Sequence, residues 1–463
     1  MKPKPGARST FRHPMPAAPF ADDERMLDLL KRFWRLNRLP VTPETDQLAA
    51  HLAQSLNGTV IEAGSGETCL TWTIPHRWRV RKGQLRRLDG GVVADYADHP
   101  LHLWAHSVSF SGVIDRETLL ADHVNTDPDR PDEWPWHYRN SYRPQAREWG
   151  FSLPYRLVQT MTDAGYQVEI DADLDHDGTL KVVDAFLPGE HPETLFVMAH
   201  TCHPALVSDG LGSIAAAVEL YHYLKRRPRR RYSYRFLFGP EYYAAAAWLD
   251  RAPRQAVESL HAGIFLDMMT THEPLGFQRS MAGDSRLDRA ARNVFRSHLS
   301  MGFERPYGEL WGNDEKFYAA PGYRLPVLGI GRAMHREYHY NTDDLDHYDP
   351  YHALEGVWVL QRLMEVLESD FIPRLQFTGA LYLSRYDLYQ DPNVGADLNT
   401  HLERMHVMAD GRNSCLDIAD HFNVDFFAVR RHFEDLIRHR LAEALDRPPR
   451  GEDQGGAPWG TAP

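Results

Sequence analysis

Residues 194–220, TLFVMAHTCHPALVSDGLGSIAAAVEL, constrain this chain more than any other stretch. They open on a short apolar run at 195–198, which reads as a buried strand, and close on an Ala-rich, apolar-periodic segment at 213–220, which reads as a helix. The loop between carries His200, His203 and Asp209. Two imidazoles and a carboxylate therefore sit where a strand hands over to a helix, the crevice in which open α/β sheets bind ligands. That mixture of donors suits a divalent transition ion, zinc first.

The surrounding sequence supplies the sheet such a crevice needs. From about 153 to 370, strand and helix patterns alternate: helix 153–164, strand 166–172, strand 180–187, a strand ending at Glu241, helix 243–250, a strand ending near Asp267, helix 285–299, strand 325–331 and a long helix 351–369. Alternation of this kind predicts an α/β fold of three layers, with a mostly parallel central sheet. Apolar residues at helical spacing from Met26 to Leu36, and a second segment at 45–56, add two packing helices.

Two blocks have a different texture. Residues 61–124 hold short aromatic and β-branched runs divided by turn residues, and read as an inserted β-rich domain. Residues 375–445 include helix, a turn at 421–424 and helix, the spacing of a helix-turn-helix or winged-helix unit. The division is thus 21–60 with 125–372 for the main domain, 61–124 for the insertion and 375–445 for the C-terminal domain. Residues 1–20 and 446–463 read as disordered. The Trp-, Tyr-, Pro- and Arg-rich segment 125–150 reads as a long loop that lines a pocket with Trp136, Tyr142, Arg143 and Trp149.

Composition narrows the classes. A net charge of −12 over 463 residues disfavours a general nucleic-acid or anionic-membrane surface. The arginines 430, 431, 438 and 440 keep DNA contact open for the C-terminal block alone. No apolar run approaches a membrane span, and the N-terminus lacks the apolar centre of a secretory signal. Three dispersed cysteines, Cys69, Cys202 and Cys415, fit reduced thiols and a cytoplasmic location.

Further candidate groups lie at the other strand ends. Glu241 follows FLFGP, Asp267 follows GIFL, and His339 lies in a loop before the last long helix. Polar groups at the carboxyl ends of successive parallel strands converge on one crevice. Five such ligands and a water can hold two metals bridged by one carboxylate, which activates water for amide hydrolysis. A nearby carboxylate would take the water's proton and deliver it to the leaving amine. Tyr338 is placed to donate to a developing oxyanion. Asp314, Arg279 and Trp149 are the candidate substrate contacts, Asp314 for an α-amine.

These residues resemble the zinc-dependent aminopeptidase superfamily, which also includes glutaminyl cyclases and some carboxypeptidases. More closely, they resemble a bacterial aminopeptidase-like family of poorly defined function with a signature near HTCHP, NDNLSG, FLFGPE, LDM and YHTSxD. Here those pieces read HTCHP at 200–204, SDGLGS at 208–213, FLFGPE at 236–241, LDM at 266–268 and YHYNTD at 338–343. The resemblance covers about 22–445 and includes the inserted β module and the C-terminal winged helix. It implies that Asp209 bridges two zinc ions. The first-loop histidine and Asp267 would complete one ion, Glu241 or a neighbour and His339 the other, with a glutamate at the Gly-Pro-Glu position as base.

The departures from that pattern matter. Superfamily members carry two adjacent glutamates, one base and one ligand, whereas Glu241 is followed by Tyr242 and Tyr243. The His-x-Asp that orients a metal-bound histidine reads His200-x-Cys202. Either His200 or His203 can then be the first-loop ligand, Glu241 can be base or ligand, and one ion or two can bind. The expected function is zinc-dependent hydrolysis of a small peptide or aminoacyl conjugate by a chain that could form a homo-oligomer. The alternatives are a degenerate peptidase-fold regulator that uses its winged helix for protein or DNA contacts, and a cyclase or acyltransferase on the same scaffold.

Overall fold

The structure is a computed structural model that describes residues 21–143, 146–310, 312–389, 398 and 400–446. Both terminal segments expected to be disordered, apart from Asp446, lie outside the described residues. An eight-stranded mixed sheet forms the centre. In spatial order its strands are Thr59–Gly64, Thr179–Leu187, Ser233–Gly239, Thr194–His200, Leu260–Asp267, Val327–Arg332, Leu275–Gln278 and Phe303–Arg305. The inner four, Ser233–Gly239 through Val327–Arg332, are mutually parallel.

The strand Thr194–His200 is buried at every position. Successive side chains point to opposite faces, so Leu195, Val197 and Ala199 enter one core and Phe196 and Met198 the other. The first core is closed by helices Asp23–Phe33, Pro43–Leu56, Ser213–Arg226, Arg286–His298 and Pro350–Ser369. The second is closed by Tyr243–Arg251 and Glu315–Ala319. The fold is the expected three-layer α/β arrangement, with a mostly parallel centre.

Several boundaries differ from expectation. The strand expected at 166–172 extends over Gly165–Asp175 and belongs to a separate four-stranded sheet, with Val92–Asp95, Arg77–Arg87 and Phe110–Asp115. The β-rich module therefore takes its longest pairing from well beyond 124. Conversely, Thr59–Gly64 pairs with Thr179–Leu187 at the edge of the main sheet. Alternating apolar residues give a strand but not its partner, which explains both differences. The helix expected at 153–164 shortens to Tyr155–Gln159, between Pro154 and Thr160.

At the C-terminus, helices Cys415–Phe422 and Phe426–Arg438 are joined by a tight turn at left-handed Asn423. A strand, Ala442–Leu445, pairs with Ile372–Leu375. This unit packs on the main core. Asn293 donates to the carbonyl of Val424 at 2.9 Å and accepts from the Phe426 amide at 3.0 Å. The start of the second helix is thus held against helix Arg286–His298.

Candidate metal centre

Three strand ends and the loops that follow them bring the candidate ligands together. His200 terminates its strand, and Asp209 follows in the irregular turn before helix Ser213–Arg226. Asp267 terminates the strand Leu260–Asp267, and His339 lies in the loop after Val327–Arg332. Ala205, Tyr242, Met268 and His339 all have positive φ, between 48° and 63°. Sparse backbone conformations of this kind gather at functional sites because the surrounding structure must enforce them.

The side chains form two groups that share Asp209. One is His200, Asp209 and Asp267, and the other is His203, Asp209 and His339. Nε2 of His200 lies 3.3 Å from Oδ1 of Asp209 and 3.4 Å from Oδ1 of Asp267. Oδ2 of Asp209 lies 3.0 Å from Nε2 of His339 and 3.7 Å from Nε2 of His203. The two carboxylate oxygens of Asp209 thus face different partners. Both His200 and His203 are brought beside Asp209, one in each group.

Their orientation is set by one backbone group. Nδ1 of His200 and Nδ1 of His203 both donate to the carbonyl of Cys202, at 2.7 and 2.6 Å. With Nδ1 committed in both rings, Nε2 is the nitrogen that each histidine points inward. The Cys202 carbonyl does here what the missing His-x-Asp carboxylate would do. Gly210 permits this packing: a Cβ there would meet the carbonyls of His200 and Cys202 at 2.7 and 2.8 Å. Asp343 holds the next turn, accepting from the amides of Ser208 and Asp209 at 2.9 and 3.3 Å. Arg38, fully buried, donates to the carbonyls of Thr201 and Leu206 on the same loop, and burial pushes its guanidinium down to about 10.

The donor set fits a cation. Nε2 of His200, Nε2 of His339 and Oδ2 of Asp209 are buried without a hydrogen bond of acceptable geometry. Buried polar atoms left this way are costly unless an ion takes them. Burial opposes charging His200, but the adjacent Asp267 and Asp209 carboxylates outweigh it and hold the imidazole well above its ordinary value. Burial also resists charge on Asp209, and His203, His339 and His200 overcome it. His203, by contrast, is pushed down to about 4 by burial, so it is a neutral donor at pH 7. These groups could hold one or two divalent ions.

Glu241 is a member of neither group; its amide donates to Sγ of Cys202, between the two histidines of the first loop, at 3.2 Å. Tyr142 donates to its Oε2, and Nδ2 of Asn313 donates to its Oε1 at 2.5 Å. His203, and not Glu241, joins Asp209 and His339 in the second group. Of the long aromatic loop, Trp136 lies edge-on to His203 and His339, with ring centroids 4.4 and 5.0 Å apart. Tyr338 stacks on the His339 ring at 3.9 Å. The loop lines the centre as expected, with Trp136 and Tyr142.

Two of the three expected substrate contacts lie elsewhere. Trp149 stacks on His123 at 3.7 Å and on Phe110 at 4.4 Å, inside the core of the second sheet. Arg279 pairs with Glu304 beside the edge strands of the main sheet. Asp314 accepts from the Tyr242 amide at 2.5 Å, and burial together with Glu241 pushes it up to about 8. It props the turn that follows Glu241. Asn313, Arg38 and the Cys202 carbonyl were not legible as site groups. Asp343 lay within the YHYNTD stretch but carried no role.

The fold and its strand-end histidines and carboxylates define an aminopeptidase-like α/β protein. The chain belongs to the family described as domain of unknown function DUF4910, which it matches over residues 27–370. It is 27% identical over 400 residues to a Clostridium acetobutylicum protein provisionally named a polysaccharide biosynthesis protein with an aminopeptidase-like domain; the match covers 83% of this chain and 88% of that one. A crystal structure of a provisionally assigned peptidase from C. acetobutylicum superposes with a TM-score of 0.80 at 23% identity, over 91% of this chain and 96% of that one. A zinc aminopeptidase from Bacillus subtilis superposes with a TM-score of 0.54 at 11% identity, over 76% and 96%. At these identities the two structures speak for the fold.

Proposed function

We propose that this protein is a metal-dependent hydrolase of amide bonds, aminopeptidase-like, acting on a small peptide or aminoacyl conjugate. The observation that carries the reading is the placing of Asp209, whose Oδ1 faces His200 and whose Oδ2 faces His203 and His339. A carboxylate shared in this way suits two divalent ions, zinc first, one held by His200 and Asp267 and the other by His203 and His339. When bound, such a pair supplies Lewis acidity toward a water and a substrate carbonyl.

The chain's own residues do the rest. Glu241 accepts the proton of the attacking water on a carboxylate oxygen and returns it to the leaving amine. Tyr142 and Asn313 fix the direction of that carboxylate. The rings of Trp136 and Tyr338 pack around His339 and narrow the approach of bulk water. A sugar-linked amide is a second substrate class, supported by this aromatic wall and by the polysaccharide-biosynthesis name of the clostridial relative. The docked second helix of the C-terminal unit supports a role in packing over one in reading DNA.

The test is turnover by the zinc-loaded chain on aminoacyl arylamides and N-acylated aminosugars, with Glu241→Gln and Asp209→Asn alongside. Loss of a general base lowers kcat by about 10²–10⁴-fold. Glu241→Gln should do so with bound zinc unchanged, and Asp209→Asn should lose zinc as well. Full activity in Glu241→Gln would remove the assigned base, and an inert zinc-loaded wild type on both panels would remove the hydrolase reading.

A further inference from the structure

We propose that the two halves of this centre are unequal, so that the chain selects a hard divalent ion at His200, Asp209 and Asp267 and a borderline ion at His203, Asp209 and His339. The inference rests on the metal-centre reading above and adds which ion each half prefers.

Three observations carry it. The first is donor type. One half offers two carboxylates and one imidazole, and the other offers two imidazoles and one carboxylate. Carboxylate oxygen suits manganese and magnesium, whereas imidazole favours zinc and cobalt. The second is charge. Asp209 is shared, so the half with Asp267 has a carboxylate of its own to offset a dication, while the imidazole half has none. A buried, uncompensated charge is costly, so the weakly binding ions of the divalent series are held where two carboxylates meet them.

The third is enclosure. His200, Asp209 and Asp267 are all buried, and Asp267 is held by the Met268 amide at 2.9 Å. The His339 side chain keeps 16% of its surface exposed. An ion in that half can therefore exchange with solvent. His203 is what creates the difference. A glutamate in its place would give each half two carboxylates and equalise their charge. The departure of this chain from the paired-glutamate pattern thus becomes a selectivity device, and not simply a lost ligand.

The experiment is metal binding to the metal-free full-length chain, read without turnover. Mn(II) is titrated and the free ion measured by electron paramagnetic resonance; Co(II) is then added and its visible absorption followed. The expected result is one Mn(II) per chain bound at least about 10-fold more tightly than any second, a ratio equal to about 1.4 kcal/mol. Asp267→Asn should weaken that Mn(II) at least 10-fold, while His339→Ala should change it less than about 3-fold. Co(II) should then fill a second position in the wild type and fail to do so in His339→Ala and His203→Ala. Circular dichroism of each variant confirms that it folds, and Asp267→Glu serves if Asp267→Asn does not.

Two equivalent Mn(II) ions, or equal loss of Mn(II) in Asp267→Asn and His339→Ala, would overturn the inference and leave the hydrolase reading intact. Failure to bind either metal would overturn both.

Discussion

Replacing Gly210 by alanine separates the backbone that builds the centre from the side chains that line it. Gly210 has φ 87° and ψ −63°, a three-residue turn conformation that is strained for any residue with a Cβ. The conformational cost of alanine there is about 1–3 kcal/mol. The new methyl would also stand 2.7 Å from the His200 carbonyl, 2.8 Å from the Cys202 carbonyl and 2.8 Å from Nδ1 of His200. None of these is the far end of a flexible side chain. Relief of that crowding adds about 1–3 kcal/mol, for a total of about 2–6 kcal/mol.

The displaced atoms are the ones that aim both imidazoles. Loss of such an orienting contact typically lowers metal affinity by about 10–100-fold. Gly90 provides the control. It has φ 93°, but a Cβ there meets nothing within 4 Å. Gly90→Ala should therefore lose only the conformational part of the stability and none of the metal affinity. The assays are the urea midpoint of each metal-free variant and competition for zinc with a chromophoric chelator. If Gly210→Ala matches Gly90→Ala in stability and wild type in zinc affinity, the Cys202 carbonyl does not orient the two histidines.

Other perturbations test neighbouring parts of the argument. Tyr142→Phe and Asn313→Ala should each lower kcat by about 10–100-fold with KM and bound zinc unchanged, since both side chains position Glu241 without touching the ions; a rise in KM with no fall in kcat would refute that role. Arg38→Met leaves the carbonyls of Trp34, Thr201 and Leu206 without the guanidinium donor and should cost about 1–3 kcal/mol for each, read as a urea midpoint. Burial pushes His106 down to about 4 and His99 down to about 3. Below pH 6.5 the unfolded chain therefore binds protons that the folded chain refuses. Stability present above that pH should fall as pH drops toward 4, by about 2 kcal/mol at pH 5 for fully buried His106. His106→Phe should flatten this slope by one proton's worth, and an unchanged slope would show that His106 titrates alike in both states.

The sequence displays the main sheet and half of the site for one physical reason. A parallel strand buried on both faces must be a continuous apolar run, and its end is marked where the first polar residue appears. His200, Glu241 and Asp267 are such residues, and each reads directly from LFVMAH, FLFGPE and GIFLD. What the sequence hides is the partner of each element. The strand Gly165–Asp175 alternates as clearly as any in the main sheet, yet it pairs with Arg77–Arg87 and Phe110–Asp115. Trp149 and Trp136 come from one aromatic loop and carry the same side chain. One stacks on His123 inside a core, and the other faces His203 and His339.

The missing second glutamate shows the same limit at the level of chemistry. Read along the chain, Glu241-Tyr242-Tyr243 looks like the loss of a metal ligand. Read in space, the proposed centre draws on a residue from a different strand end, since His203 Nε2 lies 3.7 Å from Asp209 Oδ2. A backbone carbonyl makes this workable: the Cys202 oxygen accepts from both His200 and His203, so one peptide group orients a histidine for each half of the centre. No residue-type signal marks a carbonyl. The departure from the pattern, His200-x-Cys202 followed at once by His203, is the local arrangement that brings a third donor to the group of Asp209 and His339. A chain with an aspartate at 202 and a leucine at 203 would keep the familiar pattern and lose that donor.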